Sequence, residues 1–187
     1  MFPFAWLIGL MLPACAATGA AGLPVPPPMD FSGLVRPATP NSALAGPAVP
    51  GSPVPRLPVP GSPVAGAPVP GEAGATAGAP DLVTPVFRVS APRLFAAVHA
   101  VAAAQPRTFL AASYPDRLQE HWVARSAVFN FPDLIAAQVV TAGPDASALV
   151  LYSRSVYGRS DLGVNLARLR VWLAAVNTML MSPTVER

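Results

Sequence analysis

The sequence predicts an α+β domain: a four-stranded antiparallel sheet with two helices packed on one face, in the order helix, four strands, helix, preceded by a disordered Pro-rich linker. Three observations carry this. Apolar residues recur at helical spacing in 90–105 and again in 161–181. Between them lie four short β-like runs joined by turn residues. Upstream, 16 Pro and 10 Gly crowd into residues 15–80, against 7 Pro and 3 Gly in residues 81–187. Only the second part has globular composition, and its length suffices for one modest core.

In the first helix, SAPRLFAAVHAVAAAQ, Ser90 suits the N-cap and Pro92 is tolerated in the first turn. Leu94, Phe95, Val98 and Val101 form its apolar face, and Pro106 ends it. The β-like runs are 107–113 (RTFLAAS), 118–129 (LQEHWVARSAVF), 134–142 (LIAAQVVTA) and 147–156 (SALVLYSRSV). Tyr-Pro-Asp-Arg joins the first pair and Gly-Pro-Asp the second. Proline presets φ and Asp bonds its own backbone, so both links are turns. Connections this short imply antiparallel hairpins. One sheet face is left to solvent or to cover something else.

The last helix, 161–181, presents Leu162, Leu166, Leu169, Leu173, Val176 and Leu180 on one side, the expected core face. Asp161, Asn165, Arg168 and Trp172 make a second stripe about 90° away. Gly163 in the first turn costs about 1 kcal/mol relative to Ala. That cost points to another backbone or a ligand passing close.

The first fourteen residues, MFPFAWLIGLMLPA, are apolar but too short for a membrane-spanning helix, which needs about 20 residues. They suit the hydrophobic region of a signal peptide. LPAC followed by Ala-Thr-Gly resembles a bacterial lipoprotein cleavage site, in which the Cys is diacylated. Cys15 is the single Cys of the chain, which excludes an internal disulfide. Ala16 in place of Asp resembles an outer-membrane sorting signal. The expected division is a signal peptide at 1–14, a lipidated N-terminus and linker at 15–80, and the domain at 81–187. The expected location is the periplasmic side of the envelope, with a monomer held to the membrane through Cys15.

Within the linker a ten-residue repeat runs VPGSPVPRLP, VPGSPVAGAP, VPGEAGATAG from residue 49. Such repeats favour extended polyproline-II chain. At about 3.1 Å per residue, thirty of them reach about 90 Å. This reads as a spacer holding the domain away from a membrane; docking to an aromatic groove or to cell wall is the sharper alternative.

All twelve basic residues other than His are Arg, which is most simply a codon bias of a GC-rich genome. The net charge of +3 comes without a basic stripe interleaved with aromatics, so nucleic acid is not an expected partner. The enzyme signatures are missing. His99 and His121 stand on different elements, and Glu120 beside His121 points to the opposite strand face. A zinc site would lack ligands. There is no nucleophile elbow, phosphate loop or dinucleotide fingerprint. No catalytic residue, metal or cofactor is therefore assigned. The remaining candidate site gathers Arg125, Arg154, Arg159, Asp161, Asn165 and Arg168 near the start of the last helix, where a positive helix end and arginines suit a small anionic ligand. The competing reading is a clasp in which Arg125, Arg154 or Arg168 pairs with Asp133 or Asp161 and ties strand to helix.

Two stretches, 126–140 (SAVFNFPDLIAAQVV) and 149–176 (LVLYSRSVYGRSDLGVNLARLRVWLAAV), resemble the bacterial domain of unknown function 1499 family. The specific pattern is R-S-x-x-G-x-x-D-x-G-x-N-x-x-R, here Arg154, Ser155, Gly158, Asp161, Gly163, Asn165 and Arg168. Residues 30–47 are similar to that family's Pro-Asn-containing N-terminal segment, though its cysteines are absent here, so no disulfide or metal role carries over. Against this pattern the repeat looks like an insertion. The resemblance implies an envelope-associated domain and no particular reaction. The leading expectation is a non-enzymatic lipoprotein that binds an envelope protein or a small anionic ligand. The rival is a hydrolase using Arg154, Asp161, Asn165 and Arg168.

Overall fold

The computed structural model describes residues 18–47, 74–76 and 79–182. The helix–four strands–helix order is present. Helix α1 spans Ala91–Ala103. Four strands follow in an antiparallel meander: β6 (Thr108–Tyr114), β7 (Gln119–Arg125), β8 (Pro132–Gly143) and β9 (Ala146–Ser155). Helix α2 spans Val164–Met181. The second strand stops at Arg125, so 126–131, expected in part as strand, forms a loop.

The sheet is larger than the expected four antiparallel strands. It holds seven, six of them in the order β4-β2-β9-β8-β7-β6, where β2 is Ser42–Pro47 and β4 is Leu82–Thr84. β5 (Val86–Phe87) pairs with the start of β9, and β2 with its end. Because β2 and β4 run parallel, the sheet is mixed. A separate pair joins β1 (Val35–Pro37) to β3 (Gly74–Thr76). The sequence hides β2 because SALAGP lacks both alternation and β-branched residues. Its Ala43, Leu44 and Ala45 are buried on both faces, where alternation has no purpose.

Both helices cover one face. Leu94, Val98 and Val101 of α1 and Leu169, Trp172, Leu173 and Val176 of α2 pack on Trp122, Ile135, Val139, Leu149 and Leu151. Two residues of the expected last helix, 161–181, depart from its stripes. Trp172 is core, whereas Leu162 precedes the helix and is 92% exposed. The second face is covered by the chain itself: Phe31 and Leu34 pack on Leu44, Ala136, Val150 and Tyr152. The Gln119 side chain accepts from Met29 N–H and donates to Met29 O, both at 2.8 Å. Tyr114 donates to Pro26 O at 2.6 Å.

Residues 18–47, expected as linker, are thus part of the domain. Apart from 74–76, which form β3, the repeat lies outside the described residues, and its flanks give its place. It falls between Pro47 and Leu82, which end and begin two neighbouring strands of one sheet. It thus falls inside the part of the chain that builds the sheet, between β2 and β4, and not between that part and Cys15.

Candidate functional site

The R-S-x-x-G-x-x-D-x-G-x-N-x-x-R stretch leaves β9, makes a loop and enters α2. Gly163 is the N-cap at φ 82°, and Leu162 also has positive φ. Asp161, two residues upstream of the cap, performs the capping: its carboxylate accepts from Gly163 N–H at 3.0 Å and Asn165 N–H at 2.9 Å. Partial burial pushes the Asp161 carboxyl up, but the bonds from Gly163 and Asn165 together outweigh it and hold the group below the usual carboxylate range. A Cβ at Gly163 would meet nothing within 4 Å, so no backbone or ligand crowds this glycine; its left-handed φ explains it.

Asn165 is fully buried and bonded on both ends. Its Oδ1 accepts from Ser153 Oγ at 2.6 Å and from Arg168 Nη1 at 2.7 Å. Its Nδ2 donates to Asn41 O at 3.0 Å and Ser155 Oγ at 3.2 Å. Arg168 also donates to Ser153 Oγ at 2.9 Å and to Asp133 Oδ2 at 2.6 Å. Asn41 joins through Nδ2, which donates to Gly158 O at 3.2 Å, while its buried Oδ1 has no partner among the described residues. Four segments meet here: the start of β2, β8, the end of β9 and α2. The polar row is a clasp with its donors directed inward.

The other predicted residues do not join it. Ser153 and Ser155 point to the helix side, so Arg154 between them stands on the opposite face, level with Ser42 and Leu134. Arg159 is exposed in the β9–α2 loop. Arg154 and Arg159 form no hydrogen bond or ion pair with the described residues. Arg125 is buried on the second face and donates to backbone carbonyls: Nε to Gly19 O at 2.7 Å, Nη2 to Ala21 O at 3.0 Å and Nη1 to Asn130 O at 3.2 Å. The six candidates therefore divide between two sheet faces and a loop, and the expected convergence into one anion site does not occur.

Two features escaped the sequence reading. His99 of α1 reaches Glu120 Oε1 at 2.9 Å, and Ser113 donates to the same oxygen at 3.2 Å. Glu120 is buried, and its Oε2 and Trp122 Nε1 lack partners among the described residues. The two elements are distant in sequence, so only packing of α1 on β7 makes this pair. On the other face His121 is buried beside Gln119 and edge-on to Tyr114, and burial lowers its pKa to about 4. The other is Asn41, signalled by the Pro-Asn pair at 40–41. Among the described residues, no group of three or more His, Cys, Asp or Glu could hold a metal ion.

The end of the sheet beside the clasp is apolar. Phe129 and Phe131 stack at 5.4 Å between centroids, and Phe131 meets Tyr157 at 6.1 Å. Val128 is 82% exposed and Phe129 67%.

No curated protein and no solved structure matches the chain. The family model described as Protein of unknown function (DUF1499) matches residues 37–176, from β1 to α2, and so includes the β2 segment as well as the whole clasp. The chain belongs to the DUF1499 family.

Proposed function

We propose that the chain is a lipoprotein of the bacterial cell envelope, anchored through diacylated Cys15 on the periplasmic side of the outer membrane, and that its domain works by binding rather than by turnover. The observation that carries the non-enzymatic part is the closure of the clasp. Asp161, Asn165 and Arg168, the groups a hydrolase would need turned toward substrate, direct their polar atoms to one another, to Ser153 and to Asp133. Arg154 lies across the sheet from them. Support for the anchor comes from the apolar 1–14 stretch and the LPAC sequence. Among the described residues no helix is long and apolar enough to cross a membrane.

The test is expression of the full chain in a Gram-negative host with radiolabelled palmitate. Label and membrane association are expected in the wild type, and both are lost in Cys15→Ser. Retention of Cys15→Ser in the membrane fraction would overturn the anchor. Hydrolysis of an envelope ester or amide that is abolished by Asn165→Asp, with the circular dichroism spectrum unchanged, would overturn the non-enzymatic reading.

A further inference from the structure

We propose that the loop tip carrying Val128, Phe129 and Phe131 seats in the interfacial layer of the same bilayer that receives the lipid chains on Cys15, so that the domain lies on the membrane in one orientation. The inference rests on the anchor reading above and extends it.

Chain path gives the first argument. Arg125 holds both partners: its Nε and Nη2 bond Gly19 O and Ala21 O, and its Nη1 bonds Asn130 O in the tip loop. Gly19 also lies against the Phe109 ring, where a Cβ would sit 3.7 Å away. Gly19 is four chain steps from Cys15, and a fully extended chain covers at most about 3.6 Å per residue. The lipid attachment point is therefore held within about 14 Å of Gly19. A membrane that receives it must lie at this end of the sheet.

The second argument is the tip itself. Val128 and Phe129 are mostly exposed, and the Phe129–Phe131 stack makes them continuous with Tyr157. The loop does not lie loosely. Asn130 N–H donates to Ser126 O at 3.1 Å, Phe131 N–H to Ser126 Oγ at 2.9 Å and Ser126 N–H to Phe131 O at 2.9 Å. Arg107 Nη2 reaches Asn130 Oδ1 at 2.5 Å. The hydrogen bonds hold apolar side chains outward, the reverse of what a surface loop facing water requires. In the next loop Leu162 is likewise exposed and held at φ 53°.

Charge gives the third. The tip loop 126–131 contains no acid, and the one acid of the neighbouring loop 156–163, Asp161, is turned to the start of α2, while Arg107 and Arg159 stand exposed on the two sides. Aromatic rings flanked by arginines suit the headgroup boundary of an anionic bilayer.

The test uses the acylated full chain in vesicles of phosphatidylethanolamine and phosphatidylglycerol. Because the sole Cys is acylated, Val128→Cys and Asp145→Cys each offer one free thiol for an environment-sensitive fluorophore. Asp145 is exposed in the β8–β9 turn, at the opposite end of the sheet. The label at 128 is expected to shift to the blue and to be quenched by spin-labelled lipid, with the label at 145 unchanged. A label at 128 that stays as aqueous as that at 145, on protein whose mass shows acylation, overturns the tip proposal and leaves the anchor standing. A mass without acyl chains overturns both. A blue shift at 128 without vesicles, rising with protein concentration, makes a second copy the occupant and also overturns the proposal.

Discussion

Arg168 Nη2 stands 2.6 Å from Asp133 Oδ2, joining the second turn of α2 to the start of β8 with both side chains mostly buried. The same guanidinium bonds Ser153 and Asn165, so it links two adjacent strands to the helix. Removing it strands a buried carboxylate. Arg168→Ala is expected to cost about 3 kcal/mol. Urea unfolding checks this. Adding Asp133→Asn is expected to recover part of the loss, because the unpaired charge is then gone.

Gly163 tests whether conformation or crowding dictates the glycine. With open space around a Cβ but φ at 82°, Gly163→Ala is expected to cost about 1 kcal/mol through backbone strain. Gly163→Asn is expected to cost less, since Asn tolerates this region. Equal losses in the two variants by thermal unfolding would contradict the conformational account.

His121 gives the protein an acid-sensitive window. Its folded pKa is about 4 against 6.5 for the exposed group, so between these values only the unfolded chain binds the proton. Stability from this residue is complete above pH 6.5 and is lost as the pH falls toward 4, by roughly 3 kcal/mol. Urea midpoints taken from pH 7 to pH 4.5 check this. His121→Leu is expected to flatten that part of the profile. Asp161 acts at lower pH. Its carboxyl lies below the usual range, so its contribution persists above about pH 4 and fades as the pH falls through the lowered value.

Deleting residues 50–70 removes most of the repeat and keeps the β3 segment. Because the repeat connects two strands already paired side by side, shortening it reduces loop-closure entropy. The domain is expected to keep its thermal midpoint or gain about 1 kcal/mol. A collapse of the circular dichroism spectrum on deletion would show that the repeat supports the fold.

Local features were readable wherever a short stretch carried its own instruction. The meander β6–β9 follows from apolar runs joined by Pro-Asp turns, and α1 and α2 follow from their apolar spacing. Asp161 as cap was legible too, although the helix begins later than its position suggests. The candidate site was half legible. Asn165 and Arg168 do share a helix stripe and do meet Asp133, as the clasp reading has it. Arg154 was misplaced because spacing along a turn does not say which sheet face a strand's last residues occupy.

What the sequence by itself determined is the α+β class, the two helices on one face, the clasp residues of α2 and the family pattern. Each depends on periodicity or turn chemistry within some twenty residues. Tertiary structure alone decided that 18–47 packs on the domain and that β2 enters a mixed sheet between β9 and β4. Small residues such as Ala43 and Ala45 carry no β signal of their own; they become a strand because they pair with β9 and are buried in the core shared with α2. The Arg168–Asp133 bond needed both kinds of information: helical spacing sets where Arg168 points, and only the packed sheet puts Asp133 in its reach.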